Sequence, residues 1–436
     1  MSSPTTVSTK LERIATLAKQ APDMVITSLS HHIDLEWLRE AHRRTRKDGA
    51  VGVDGRTADE YGANLGANLQ SLLDRAKSGT YRAPPVRRVQ IPKGDGKQTR
   101  PIGIPTFEDK ILQRAIAMLL EAVYEQEFLP CSYGFRPRRS AHQALADLQH
   151  ELTVMAGGWI IEVDIRRFFD ELDHAKLREI LCRRIRDGVV LRLVGKWLNA
   201  GVLETGELSY PEAGTPQGGV ISPILSNIFL HEVLDLWFEQ EVKPRLHGRA
   251  HLVRYADDVT IVFSSESDAR RVLAALPKRF GKYGLTLHPE KTKLIEFRRP
   301  DRGGPADPGT FDLLGFTHFW GRSRNGKWIV IRKTARDRFG RALRRVAEWC
   351  QRNRHRPVRE QWERLKQTLR GHFGYFGIIG NSRALARFTF GVTRVWQKWL
   401  NRRSQRARMT WERMSRLLER YPLPMPGIAR PYLRTA

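Results

Sequence analysis

The tightest constraint on this chain is residues 251–263, HLVRYADDVTIVF. Two adjacent carboxylates, Asp257 and Asp258, lie between the apolar runs Leu252-Val253 and 259–263. Short β-favouring runs on both sides of a polar pair predict a β-hairpin with the acids at its tip. Such a tip suits Mg²⁺, which takes hard carboxylate oxygens and keeps positions open for phosphates. On these residues alone, a polar turn without chemistry is the competing reading.

A second stretch, residues 159–174, WIIEVDIRRFFDELDH, narrows the choice. An apolar strand ends at Asp164, beside Ile165, and runs into a helix. If the two strands are sheet neighbours, Asp164 reaches the same metal ions as Asp257. Two metals on shared aspartates are the apparatus of in-line nucleotidyl transfer, one activating a 3′-hydroxyl and the other steadying the pyrophosphate. A strand-end helix cap would account for Asp164 but not for the joint pattern. Together the stretches predict a polymerase palm.

With 75 Lys+Arg against 47 Asp+Glu, the formal net charge is +28, which points to a polyanion and most simply to nucleic acid. Residues 331–436 hold 27 Lys+Arg and 6 Asp+Glu, so most of the excess lies in the last quarter. An anionic membrane would also attract a basic chain, but no long apolar span or amphipathic anchor supports it. Cys131, Cys182 and Cys350 stand far apart without CxxC pairing. Disulfides and structural zinc are therefore not expected, and a reducing cytosol is. The polar start MSSPTTVSTK has no apolar core of a secretory signal.

Helices are predicted over residues 11–19, 35–46, 65–77 and 106–127, the last on Ile111, Ala115, Leu119 and Val123. Residues 86–91 and 100–104 read as a basic hairpin that extends Lys93 and Arg100 toward a triphosphate, or else as solvated charge. Residues 132–139, SYGFRPRR, form a glycine-broken loop. Tyr133 and Phe135 there either face a nucleic-acid backbone or anchor the core. The spacing predicts one amphipathic helix over 175–200, a hairpin near 201–210, a helix over 268–283 and a returning strand over 285–297.

The ordered strings IPKGDGKQTRPIGIPTFEDKILQRAI, SYGFRPRRSAHQAL, VDIRRFFDELDH, GTPQGGVISPILSNIFL, RYADD, GLTLHPEKTK and LLGF resemble bacterial group II intron-encoded reverse transcriptases, the maturases. The resemblance covers roughly residues 35–400. It implies an α+β right-hand polymerase: fingers, a palm with an antiparallel sheet, then an α-helical thumb/maturase domain. The corresponding bounds are an N-terminal extension over 1–34, fingers over 35–155, palm over 156–320, thumb over 330–395 and a basic helical tail over 396–436 with a DNA-binding segment.

The same resemblance implies roles for individual residues. Asp164, Ile165, Asp257 and Asp258 would form the site for two Mg²⁺, with Mn²⁺ as a substitute. Phe169 would pack under the deoxyribose, where a large ring leaves no room for a 2′-hydroxyl, while Phe168 is expected in the core. Gln217 would lie beside the nucleotide, and the glycines after it would let backbone approach template or base pair. Lys291 is a candidate acid for the pyrophosphate, or one of two surface charges with Lys293. Leu314, Gly315 and Phe316 resemble a primer grip.

Beyond residue 333, apolar positions recur at helical spacing: Phe339, Leu343, Val346 and Cys350; Trp362, Leu365 and Leu369; Val395, Trp396 and Trp399; Trp411, Met414, Leu418 and Tyr421. Arg341, Arg344, Arg345, Arg352 and Arg370 back these stripes and suit phosphate contacts with folded RNA. Residues 369–385 resemble the maturase motif RGWxxYF, with His372 in place of the tryptophan. The expected partners are structured intron RNA, an RNA template with a DNA primer, dNTPs and target DNA, with no nuclease module of its own. A free-standing reverse transcriptase for phage defence or repair and a non-catalytic RNA-splicing chaperone are the alternatives.

Overall fold

The computed structural model describes residues 6–93, 98–204, 207–209, 218–302, 305, 307–404 and 408–427. The chain divides into two compact units, Met1–Ala144 with Ile161–Leu294, and Leu145–Ile160 with Ile295–Ala436. The architecture is mixed α+β with a helical C-terminal region.

The first unit carries strands β1 (Val86–Lys93), β2 (Gln98–Ile104), β4 (Val202–Glu204), β5 (Glu207–Ser209), β6 (Ala250–Tyr255) and β7 (Asp258–Phe263), together with the end of β3 (Trp159–Val163) and the start of β8 (Lys293–Glu296), which cross the division. They form two sheets, of order β2-β1-β4-β5 and β6-β7-β3-β8. The predicted basic hairpin is β1–β2, paired from Arg87↔Ile104 to Lys93↔Gln98. The predicted acidic hairpin is β6–β7, paired from Ala250↔Phe263 to Tyr255↔Asp258. After Asp258 every residue of β7 is buried, as expected of a continuous apolar run inside a sheet. β3 is the other neighbour of β7, so the strand leading to Asp164 lies beside the one that opens at Asp258.

The helix Phe107–Tyr124 lies in the core of this unit. Thr106 caps it by accepting from the Asp109 N–H at 3.3 Å, and Glu108 and Asp109 occupy the first turn, where the helix dipole favours negative charge. Its predicted stripe is buried, and so are Leu112, Ile116 and Leu120.

Two expectations are corrected. The stretch 175–200 is two helices, His174–Arg184 and Gly188–Leu198. Ile185 leaves the helix to bridge Ile26 in parallel, and Asp187 caps the second helix by accepting from the N–H groups of Val189 and Val190. The strand over 285–297 is also divided. Leu287 bridges Ile165, the N–H groups of Lys291 and Thr292 turn back to the His288 carbonyl, and β8 begins only at Lys293. Pro289 supplies a fixed φ and no donor there, which suits a turn.

The second unit carries β9 (Phe311–Leu313), β10 (Phe316–Arg322) and β11 (Trp328–Thr334), ordered β11-β10-β9. The helices Arg336–Arg352, Val358–Phe376, Ser382–Asn401 and Trp411–Arg420 follow. Val346, Cys350, Leu365, Leu369, Trp396 and Met414 from the predicted stripes meet in one cluster. Trp411 departs from its stripe. It opens its helix, is 47% exposed, and stacks on Phe390 at 6.2 Å. No helix among the described residues is long and apolar enough to cross a membrane.

Candidate active site

Pairing of Tyr255 with Asp258 leaves Ala256 and Asp257 as a two-residue turn. Ala256 adopts φ 57°, the left-handed region that such hairpin turns demand and that costs a residue with a Cβ about 1–2 kcal/mol. The SYGF loop backs this turn. The Arg254 N–H donates to the Cys131 carbonyl and the Tyr133 N–H to the Arg254 carbonyl, both at 2.8 Å. A Cβ on Gly134 would lie 2.2 Å from the Ala256 nitrogen, so only glycine permits this approach. Of the two aromatic residues of the loop, Tyr133 takes the core reading. Tyr133 is buried, whereas Phe135 is 56% exposed, at φ 58°, with its ring 6.4 Å from that of Tyr255.

Asp164 follows the end of β3. Its carbonyl accepts from the His288 N–H at 2.8 Å, and its N–H donates to the Thr292 hydroxyl at 3.3 Å. Its carboxylate faces the Lys291 ammonium at 3.5 Å, with the two side chains 41% and 53% exposed. An ion pair this open adds little stability, so its interest lies in bringing Lys291 to Asp164. Ile165 is buried. Asp257 is half-buried and Asp258 exposed.

The donor chemistry fits a hard divalent cation, because carboxylate oxygens on neighbouring strands are its preferred ligands. Soft-metal chemistry has no support in the cysteines: burial pushes the Cys131 thiol well above its ordinary value and the Cys350 thiol up to about 12. Among the described residues, no three His, Cys, Asp or Glu side chains are gathered into a group that could hold a metal as it stands.

The other predicted nucleotide contacts come from separate elements. Arg100 is exposed on β2, in the sheet without the aspartates. Lys93 ends β1, with its side chain outside the described residues, and Gln217 lies outside them altogether. Phe169 is half-buried and meets buried Phe168 edge-to-face at 5.2 Å, so Phe168 is the core residue of the two. Gly218, at φ 115°, packs on β2: a Cβ there would lie 2.6 Å from the Ile102 side chain and 2.8 Å from the Gly103 carbonyl. Its close approach is therefore to protein backbone.

Sequence reasoning missed the support beneath this segment. The Gln113 side-chain oxygen accepts from the Val220 N–H at 2.8 Å, and its amide donates to Asp109 at 3.0 Å. Asp109 also accepts from the Tyr81 hydroxyl and the Trp197 indole. Burial pushes the Asp109 carboxyl up to about 6, against the opposing pull of these donors. Arg254 and Asp235, fully buried together, were missed as well. An acid inside HEVLDLWF and an arginine inside a hydrophobic strand are each costly alone, which was the available signal.

In the second unit, Leu314 at φ 50° and Gly315 at φ 81° form the turn between β9 and β10. Buried Phe316 stacks against Tyr375 at 5.8 Å and meets Phe376 at 5.1 Å, and the Tyr375 hydroxyl donates to the Leu314 carbonyl at 2.8 Å. The maturase-like motif thus packs directly on the LLGF turn. His372 serves as an aromatic ring, stacked on Phe388 at 3.8 Å, and burial lowers its pKa to about 4. Arg344, Arg345, Arg352 and Arg370 are exposed, whereas Arg341 is half-buried and bonded to Asp337.

Similarity to known proteins agrees with this arrangement. Protein YkfC of Escherichia coli (strain K12) is 40% identical over 257 residues, 57% of this chain and 66% of that protein. Group II intron-encoded protein LtrA of Lactococcus lactis subsp. cremoris is 36% identical over 248 residues, 54% of this chain and 40% of that protein. Nuclear intron maturase 2, mitochondrial, of Arabidopsis thaliana is 28% identical over 233 residues, 44% of this chain and 30% of that protein. The chain thus covers less than two thirds of the length of each of these relatives. The pattern described as "Reverse transcriptase (RNA-dependent DNA polymerase)" matches residues 91–318, more than half of the chain. The chain belongs to the reverse transcriptase family.

Proposed function

We propose that the protein is an RNA-directed DNA polymerase that binds a structured intron RNA, assists its splicing and copies it into DNA, acting in the bacterial cytoplasm near the nucleoid. The observation that carries this reading is the sheet order β6-β7-β3-β8, with Asp257 and Asp258 at the head of β7 and Asp164 just past the end of its neighbour β3. In right-hand terms the β1–β2 hairpin belongs to the fingers, the aspartate sheet to the palm and the basic helices to the thumb, with a DNA-contacting tail.

Asp164, Asp257 and Asp258, with the Ile165 backbone, would hold two Mg²⁺ ions, or Mn²⁺ in their place. Bound there, the ions supply charge stabilisation for attack by a primer 3′-hydroxyl on the nucleotide. The chain's own residues do the rest. Lys93 and Arg100 hold the triphosphate, Phe169 excludes a 2′-hydroxyl, and Gln217 positions the nucleotide. Lys291, already beside Asp164, carries a proton toward the pyrophosphate. Leu314, Gly315 and Phe316 hold the primer end. Arg344, Arg345, Arg352 and Arg370 bind RNA phosphates, and Arg341 joins them from its bond with Asp337.

Primer extension on an annealed RNA template with Mg²⁺ and dNTPs tests the reading, beside Asp257→Asn. Long cDNA from the parent alone is expected, with RNA affinity of the variant within about three-fold, because the change removes metal-binding charge and no thumb contact. No product from the parent, with tight salt-sensitive RNA binding, would replace the reading with a splicing chaperone.

A further inference from the structure

We propose that Arg254, through its buried pair with Asp235, is the positioning residue that sets the direction in which Asp257 leaves the catalytic turn; this rests on the polymerase reading. The side chains of Arg254 and Asp235 are both 0% exposed. All five guanidinium N–H groups of Arg254 have partners. Nε donates to Asp235 Oδ1 at 2.8 Å and Nη2 to Asp235 Oδ2 at 2.6 Å. Nη2 also donates to the Ser132 hydroxyl at 2.8 Å and Nη1 to Asn227 Oδ1 at 3.0 Å. The fifth bond runs from Nη1 to the Ala256 carbonyl at 3.1 Å.

Four of these bonds fix the guanidinium, and the fifth transmits that fixity to the turn. Asp235 belongs to the π-helical segment His231–Val242, Asn227 to the helix Ser222–Leu230, and Ser132 to the loop behind the hairpin. Asn227 ties that loop in again by donating to the Gly134 carbonyl at 2.8 Å. Holding the Ala256 carbonyl orients the peptide plane between Ala256 and Asp257. That plane determines where the Asp257 side chain points, at a turn where Ala256 is already strained.

Stability alone is a poor explanation for such a pair. Burying two charges costs desolvation, and apolar replacements of similar volume often leave a fold as stable or more so. Specific geometry is the better account. A guanidinium presents five donors in a rigid fork, whereas a lysine has three on one atom and could not serve four separate residues at these distances. The π-helical segment fits the same role, since widened turns of this kind recur at functional sites.

The test uses the full chain as parent, Asp257→Asn, Arg254→Lys and Arg254→Leu/Asp235→Leu. Primer-extension kinetics, thermal melting, RNA binding and Mn²⁺ titration followed by electron paramagnetic resonance are measured on each. For the double variant the expected result is melting and RNA affinity close to the parent and dNTP KM within about three-fold. Its kcat falls about 100-fold, the scale of a 1 Å misplacement, and its Mn²⁺ affinity weakens. Arg254→Lys, which keeps the charge, recovers part of kcat. Unchanged kcat and Mn²⁺ affinity in the folded double variant would overturn the proposal, as would a parallel fall of melting, kcat and RNA affinity with a large rise in KM. Should the double variant not fold, Ser132→Ala and Arg254→Lys decide: kcat falling while melting holds supports the role, and unchanged kcat overturns it. Should the parent extend no primer, the polymerase reading fails by itself. Mn²⁺ bound by the parent, lost in Asp257→Asn and weakened in the Arg254 variants would still support the positioning role; Mn²⁺ binding indifferent to Arg254 would overturn it.

Discussion

Two tight hairpin turns, one in each unit, are held by opposite means. The Ala256 and Asp257 turn is tied through a buried guanidinium whose donors fan out to Asp235, Asn227 and Ser132. The Leu314 and Gly315 turn is packed by the rings of Phe316, Tyr375 and Phe376, with one side-chain hydroxyl reaching the Leu314 carbonyl and the Ala335 N–H donating to the Gly315 carbonyl at 2.9 Å. Aromatic packing is tolerant of small shifts, whereas a fork of hydrogen bonds has one satisfactory geometry. The turn bearing carboxylates has the directional support, and the turn offering an apolar surface has the adaptable one.

The strongest way to break this contrast is Gly134→Ala. The added methyl meets the Ala256 backbone, which cannot swing away as a side chain could, so the loop and turn must separate. A cost of about 3 kcal/mol in stability is expected, with at least about a 100-fold loss of primer extension. A melting point and a rate close to the parent's would show that the loop does not support the turn.

Acid separates the two turns next. Burial lowers the His318 pKa to about 3, with Arg332 adding to the effect, and that of His372 to about 4. The unfolded chain then takes up protons first as pH falls. The stability carried by these neutral rings is present above about pH 6.5 and drains away between there and their folded values, at about 1.4 kcal/mol per pH unit for fully buried His318 and less for half-buried His372. Burial would raise the Asp235 carboxyl, but Arg254 and His231 hold it below its ordinary value. Its contribution therefore persists until pH falls below the normal carboxylate range. At pH 5, hydrogen exchange should speed up in β10 and the helix Val358–Phe376 while Tyr255 and Asp258 stay protected. Equal loss in both would remove the distinction.

The smallest effect sharpens the aromatic side of the contrast. Tyr375→Phe keeps the stack on Phe316 and deletes one hydrogen bond, for about 1 kcal/mol by thermal melting. A loss several times larger would mean that the hydroxyl, and not the rings, holds the turn.

Much of the scaffold was legible in the chain, because its signals are local. The β6–β7 hairpin followed from two apolar runs around a polar pair, and the C-terminal helices from spacing alone. Partnerships across distance were not legible. The apolar setting of Arg254 signals that it needs a partner but does not say that the partner is Asp235, nor does a helical pattern over 175–200 reveal that Ile185 leaves to join Ile26. Lys291 was read into a strand because its neighbours are β-favouring, whereas the Pro289 turn decides its setting. His372 looked like a defect in a tryptophan motif, yet ring stacking needs only a flat ring of suitable size.

The strand order of the aspartate sheet bears on how the protein is made. β3 leaves the ribosome long before β7, which begins at Asp258, and β8, which begins at Lys293. Its apolar edges then wait without partners, an invitation to off-pathway association. Pairings of such high sequence separation are slow to form. A truncated product ending before residue 258 would carry β3 but no strand β7 to pair with it. Interrupted synthesis should therefore yield chaperone clients rather than folded fragments.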